Sequence, residues 1–139
     1  MAFRSLLPGE VLIMKTLLDR VDEPKWSALD LDALRVSDMN DGGMGSLLFE
    51  STKPSRRYGL TLSEGWFNDE DGFPVLVAIN LDKDNDVFEL DSWKVDFSPR
   101  RRMPKSAAEI VSDPADLQQE EYVGPKHING RPDAPDKPG

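Results

Sequence analysis

Between Phe73 and Leu81 the chain alternates. Phe73, Val75, Val77, Ile79 and Leu81 fall on one parity, and Pro74, Leu76, Ala78 and Asn80 on the other. Alternation rich in β-branched residues belongs to a strand with one buried face, because successive side chains point to opposite sides of a sheet. The polar break Lys83-Asp84-Asn85-Asp86 reads as a turn, and a second strand is expected from Val87 to about Phe97. No other stretch limits the fold as much as this hairpin, since neighbouring strands must register with it. In its second strand the apolar parity switches. Phe88 and Leu90 share one side, while Trp93, Val95 and Phe97 share the other. A one-residue bulge near Asp91-Ser92 is therefore expected to restore a single buried face.

Upstream, Tyr58, Leu60 and Leu62 alternate with Gly59, Thr61 and Ser63, predicting a strand to about Phe67 that closes through the Asp71-Gly72 turn. Strands near 58–67, 73–82 and 87–97 should form an antiparallel meander. Before them, a strand over about Ala33 to Met39 and a return over Gly45 to Glu50 would flank Asn40-Asp41-Gly42-Gly43, residues that tolerate positive φ. Pro8, with Glu10 in the first turn, marks a helix start. Leu7, Val11, Met14, Leu18 and Val21 form an apolar stripe, widened by Ile13 and Leu17, ending near Arg20 before Pro24. That stripe is expected to dock on the sheet, the alternative being a partner's groove. Ser106 with Glu109 suggests a capped helical turn, and Asp113-Pro114 another. The expected architecture is α+β: an N-terminal helix on an antiparallel sheet of about five strands, then a short C-terminal helical segment. Residues 1–112 would form one domain and 113–139 an extension, disordered from about residue 123.

The 139 residues are 38% hydrophobic and 31% charged, with a net charge of −9 and no cysteine. Disulfides, thiol nucleophiles and cysteine metal sites are thereby excluded, and a reducing cytoplasm is the natural setting, although lack of cysteine permits any compartment. No apolar run approaches the roughly 18 residues that span a membrane, and no signal peptide is read. Residues 1–98 hold ten Lys and Arg against nineteen Asp and Glu, whereas residues 99–139 hold seven of each. Such a field argues against nucleic acid and anionic membranes and favours a basic partner, with solubility as the plainer explanation.

Chemistry is sparse. The single histidine, His127, sits in the presumed tail, so a zinc site or a nucleophilic triad lacks its parts. Asp82, Asp84 and Asp86 start a calcium-loop spacing, but Val87 and Trp93 occupy the positions that need Gly and Glu. The glycine-rich DGGMGS lacks the lysine and following helix of a phosphate cradle. Arg100, Arg101, Arg102 and Lys105 form a basic connector without interleaved aromatics. No cofactor and no metal are expected. Two function classes are carried. In the first, Trp66, Asp69, Asp71, Asp84 and Asp86, on or beside short turns, contact a basic protein. In the second, Glu89, Asp91 and Lys94 form a carboxylate-metal hydrolase or nuclease site. A structural or regulatory domain with a small ligand is the third option.

Asn40, Asp41, Gly42 and Gly43 in NDGGMGSL, together with Trp93, Lys94, Val95, Asp96, Phe97 and Ser98, resemble a family of small uncharacterised bacterial proteins over roughly residues 3–105. The resemblance implies a helix followed by a hairpin-rich sheet and supplies no catalytic residues. By analogy of size, charge and fold, it suggests an immunity-type inhibitor of a basic, nuclease-like toxin.

Overall fold

The structure is a computed structural model and describes residues 2–117. It is α+β, built on one open antiparallel sheet of six strands in the order β1-β2-β3-β6-β5-β4. The strands are β1 (Arg4–Ser5), β2 (Arg35–Asp38), β3 (Leu47–Phe49), β4 (Tyr58–Asn68), β5 (Pro74–Asp82) and β6 (Val87–Lys94). The expected meander is β4-β5-β6, and the β2-β3 hairpin joins it through β6. The sixth strand, β1, is only two residues long and pairs with β2, too short to leave a periodic signature.

Helix α1 (Pro8–Asp19) starts as expected, with Pro8 at its first position and the Glu10 carboxylate accepting the Leu7 N–H at 2.8 Å. Ile13, Met14, Leu17 and Leu18 are buried, while Leu7, at the start of the predicted stripe, is half exposed. The short helix α2 (Pro24–Ser27) buries Trp26 in the same core. Gly65 on β4 lets this layer close. A Cβ there would stand 2.5 Å from Ile110 Cγ2 and 3.4 Å from Leu17 Cδ2, so a side chain at 65 would push α1 and the C-terminal segment off the sheet.

Residues directly opposite one another in antiparallel strands share a face. Phe67, Val75 and Lys94 form one row, then Gly65, Val77 and Ser92, then Ser63, Ile79, Leu90 and Leu47. This face lies under α1 and Ile110. Trp66, Leu76 and Trp93 form a row on the other face, followed by Glu64, Ala78 and Asp91, then Thr61, Asn80, Glu89 and Leu48.

The bulge lies elsewhere than expected. From Glu89 to Lys94, β6 pairs with β5 without interruption, and the only shift falls between Asn80 and Leu81, leaving Phe88 as the extra residue. No parity switch occurs at Asp91-Ser92. Leu90, Ser92 and Lys94 all point into the covered face, at 2%, 2% and 0% exposure. The apolar parity misleads because a lysine takes a core position, and Trp93 is left on the open side. The strand ends at Lys94. Phe97 N–H then turns back to Lys94 O at 2.8 Å with Phe97 at φ +63.

As an edge strand, β4 carries two register shifts, near Gly59 and Leu62, and Val111 bridges to Trp66. Bulges of this kind twist an edge away from further strand pairing. The expected tail, with His127, lies outside the described residues. Among the described residues no helix is long and apolar enough to cross a membrane.

Candidate functional site: the open face of the sheet

The charges of this domain fall into two sets, those used internally and those that make no ion pair among the described residues. The most buried internal set surrounds Lys94. Its Nζ contacts Asp71 at 2.6 Å and Asp69 at 3.0 Å, and the side chains of Lys94 and Asp69 are fully buried. Asp69 also accepts the backbone N–H groups of Glu70 at 2.7 Å, Arg101 at 2.8 Å and Arg102 at 3.0 Å. Burial alone would raise the Asp69 carboxyl, but these amides and Lys94 hold it below the usual carboxylate range. Burial would likewise lower Lys94, and Asp71 and Asp69 together raise it. The pair thus stays ionised and pins the 98–103 connector to the β4-β5 turn.

At the opposite end, buried Asp82 plays the same part. Its Oδ2 accepts from Lys53 at 2.8 Å and Arg56 at 2.9 Å, and its Oδ1 from the amides of Asp84 and Asp86 at 2.9 and 3.1 Å. Against the upward push of burial, these donors set the Asp82 carboxyl far below its ordinary value. Lys53 also reaches Asp84 at 3.2 Å and Asp86 at 2.6 Å, so a lysine of the β3-β4 connection serves the hairpin tip. Arg4 forms a third clamp, paired with Glu10 and Asp38 at 2.8 Å each.

The glycine loop is also occupied from within. Asp41 accepts the N–H groups of Met44, Gly45 and Ser46 at 3.1, 3.4 and 2.9 Å, so amides that could have cradled a phosphate already hold a carboxylate. Gly45, at φ +94, has the Arg100 guanidinium where a side chain would stand.

The open face differs. Trp66 and Trp93 meet edge-to-face with ring centroids 6.5 Å apart, and Phe97 meets Trp93 at 5.7 Å. Phe97 is 68% exposed, an unusual combination with a left-handed backbone that costs about 1–2 kcal/mol in a non-glycine residue. Beside the aromatic row stand Glu64 and Asp91, both exposed, with Ala78 between them and half-buried Glu89 one row further. Asp91 accepts the Ser46 hydroxyl at 3.1 Å and Glu89 the Asn80 amide at 3.3 Å. Among the described residues, no lysine or arginine pairs with Glu64, Glu89 or Asp91.

The sequence-predicted residues therefore separate. Trp66 lies on the open face; Asp69 and Asp71 are spent on Lys94; Asp84 and Asp86 share Lys53 at the tip. Glu89 and Asp91 lie on the open face, whereas Lys94 is buried on the other, so these three do not converge. Among the described residues, no group of three His, Asp or Glu side chains is placed to hold a metal ion.

Residues 3–104, spanning the helix, all six strands and the connector, match the family described as Domain of unknown function (DUF6984). The chain belongs to the DUF6984 family. No curated protein and no solved structure matches it. The DUF6984 match takes in all three ionic clusters and the open face alike. Sequence reasoning missed Glu64, Lys53 and Arg56 in this DUF6984 domain. Glu64 was within reach, because it sits two residues before Trp66 on the same parity of one strand. Lys53 and Arg56 gave no signal, since their partner Asp82 lies 29 and 26 residues away.

Proposed function

We propose that this domain is a non-enzymatic binding protein whose open sheet face takes a basic protein partner. One observation carries the reading: the aromatic side chains Trp66, Trp93 and Phe97 adjoin three carboxylates, Glu64, Glu89 and Asp91, that no described lysine or arginine pairs, while Asp69, Asp71, Asp82, Asp84 and Asp86 are held by cations of the domain itself. Aromatic side chains supply large contact area at low entropic cost, and unpaired carboxylates supply complementarity to a basic surface. A second copy of the same face is a poor occupant, because it would bring Glu64, Glu89 and Asp91 against their own like charges. In its more specific form, the reading is an immunity-type inhibitor that covers a basic nuclease-like toxin. That form rests on analogy of size, charge and fold.

The test is capture from the native host with the full chain, followed by quantitative binding to the protein recovered. A basic protein held by the wild type and lost by Trp93→Ala supports the reading, and protection of cells against that protein's toxicity supports its specific form. Equal capture by both variants, or recovery of no basic protein, counts against it. The alternative reading, a carboxylate-metal hydrolase, now has only Glu89 and Asp91 on one face. Metal-dependent hydrolysis abolished by Asp91→Asn would favour it.

A further inference from the structure

We propose that the open face holds an arginine side chain of an extended basic segment, its guanidinium lying against the Trp93 indole and between the carboxylates of Asp91 and Glu64. This rests on the binding function proposed above and names the group recognised. The register supplies the geometry. Asp91 and Trp93 are two residues apart on β6 and share a face, so their Cβ atoms are separated by about 7 Å. That spacing matches an arginine stem laid along the indole with its head at the carboxylate. Glu64 and Asp91 stand in one cross-strand row, about 10 Å apart, with Ala78 between them. Ala78 offers only a methyl group, so no side chain of β5 rises between the two acids.

Charge and shape then choose the ligand. A lysine ammonium is a compact, strongly hydrated charge and gains less from an aromatic face. A planar guanidinium is more weakly hydrated, stacks on indole and offers donors along two edges to two carboxylates. Phe97 extends the aromatic wall at 5.7 Å from Trp93, and its left-handed backbone, closed by the bond to Lys94 O, keeps that ring on the exposed side.

The experiment uses the full chain labelled with ¹⁵N and follows its three tryptophan indole N–H signals. The probes are acetyl-Gly-Arg-Gly-Arg-Gly-amide and its lysine and citrulline counterparts. Trp66 and Trp93 should shift saturably, and Trp26, which is 4% exposed, should not. The arginine peptide should bind roughly three- to tenfold more tightly than the lysine peptide, with citrulline weakest. The double variant Glu64→Gln with Asp91→Asn changes two exposed side chains, and it should reduce the arginine peptide to the citrulline level. Equal binding of arginine and lysine, silence of both open-face indoles at millimolar peptide, or full affinity in the double variant would overturn the assignment. Failure of the wider reading looks different. If Trp93→Ala leaves capture of the basic partner intact, the binding face itself is misplaced, whichever peptide binds. If capture is lost but the peptides do not discriminate, only the arginine assignment falls.

Discussion

Asp91 and Lys94 lie three residues apart on one strand and teach opposite lessons about charge. Lys94 points into the covered face, where two carboxylates of the β4-β5 turn surround its ammonium at 2.6 and 3.0 Å. Asp91 points to the open side, where its only hydrogen-bond partner among the described residues is the Ser46 hydroxyl at 3.1 Å. The first arrangement spends its charges on holding the connector against the sheet. The second leaves charge available beside exposed indole and phenyl rings. In a protein this acidic, total charge says little about where a partner binds, and the location of the carboxylates that no described lysine or arginine pairs says more.

The contrast is sharpest in stability. Lys94→Met removes a buried cation and leaves Asp69 and Asp71 facing one another, which should cost about 3–5 kcal/mol. Asp91→Asn, on the exposed face, should stay within about 0.5 kcal/mol of the wild type. Urea unfolding of both variants measures the difference, and equal losses would dissolve the division between the two regions.

Asp82→Asn should follow, at about 1.5–3 kcal/mol, because charged hydrogen bonds from Lys53 and Arg56 are weakened together. The pH profile carries the same information. Asp82 and Asp69 have folded pKa values below their unfolded ones, near 3.9. Their stabilisation is present above about pH 4 and is lost as pH falls through the lowered folded values. Lys94 has a raised pKa, so its contribution is present below its unfolded value of about 10.4 and is lost as pH rises beyond it. Stability measured by urea unfolding at successive pH values should be level between these limits, and Asp82→Asn should flatten the acid limb.

Much of this fold was legible because its strands alternate. β5 buries Val75, Val77, Ile79 and Leu81 on the expected parity, with Ala78 and Asn80 of the other parity buried as well; α1 begins at Pro8, and the Asp71-Gly72 turn falls where the residues place it, with Gly72 at φ +84. β6 was misread at the point where the core accepts charge. Ser92 and Lys94 looked like surface positions, and only the turn carrying Asp69 and Asp71, more than twenty residues upstream, makes Lys94 tolerable inside. The same pairing misplaced the site. Aspartates beside a turn read as exposed contacts, yet Asp69 is 3% exposed. Trp66 survived as a surface residue because its parity on β4 is opposite to that of Gly65 and Phe67, which the core occupies.

On the open face the expected effect is on binding. Truncating Trp93, the ring that touches both Trp66 and Phe97, should weaken the basic partner by about 2 kcal/mol or more, roughly thirtyfold, as for a central aromatic anchor. Phe97→Ala should cost less, because Phe97 meets only one of the two indoles. Isothermal titration against the purified partner reads both, with circular dichroism verifying the fold. If Phe97→Ala exceeds Trp93→Ala, the anchor lies at the rim.

The smallest effect belongs to the hairpin tip. Asp84 and Asp86 were natural contact residues by sequence, since they are acidic, exposed and at the end of a turn. Lys53 lies 3.2 and 2.6 Å from them, so a basic partner would have to compete with a cation already in place. Exposed ion pairs of this kind are worth little, and exchanging one cation for another gains less still. The double variant Asp84→Asn with Asp86→Asn should therefore change partner affinity by about 0.5 kcal/mol or less. Its main trace should be in the association rate at low salt, where the summed field of the domain steers encounter. Stopped-flow association at two ionic strengths separates the two quantities. A tenfold loss of affinity would mean that Lys53 swings away on binding and the partner sits on the tip, which would move the binding surface from the sheet face to the β5-β6 turn.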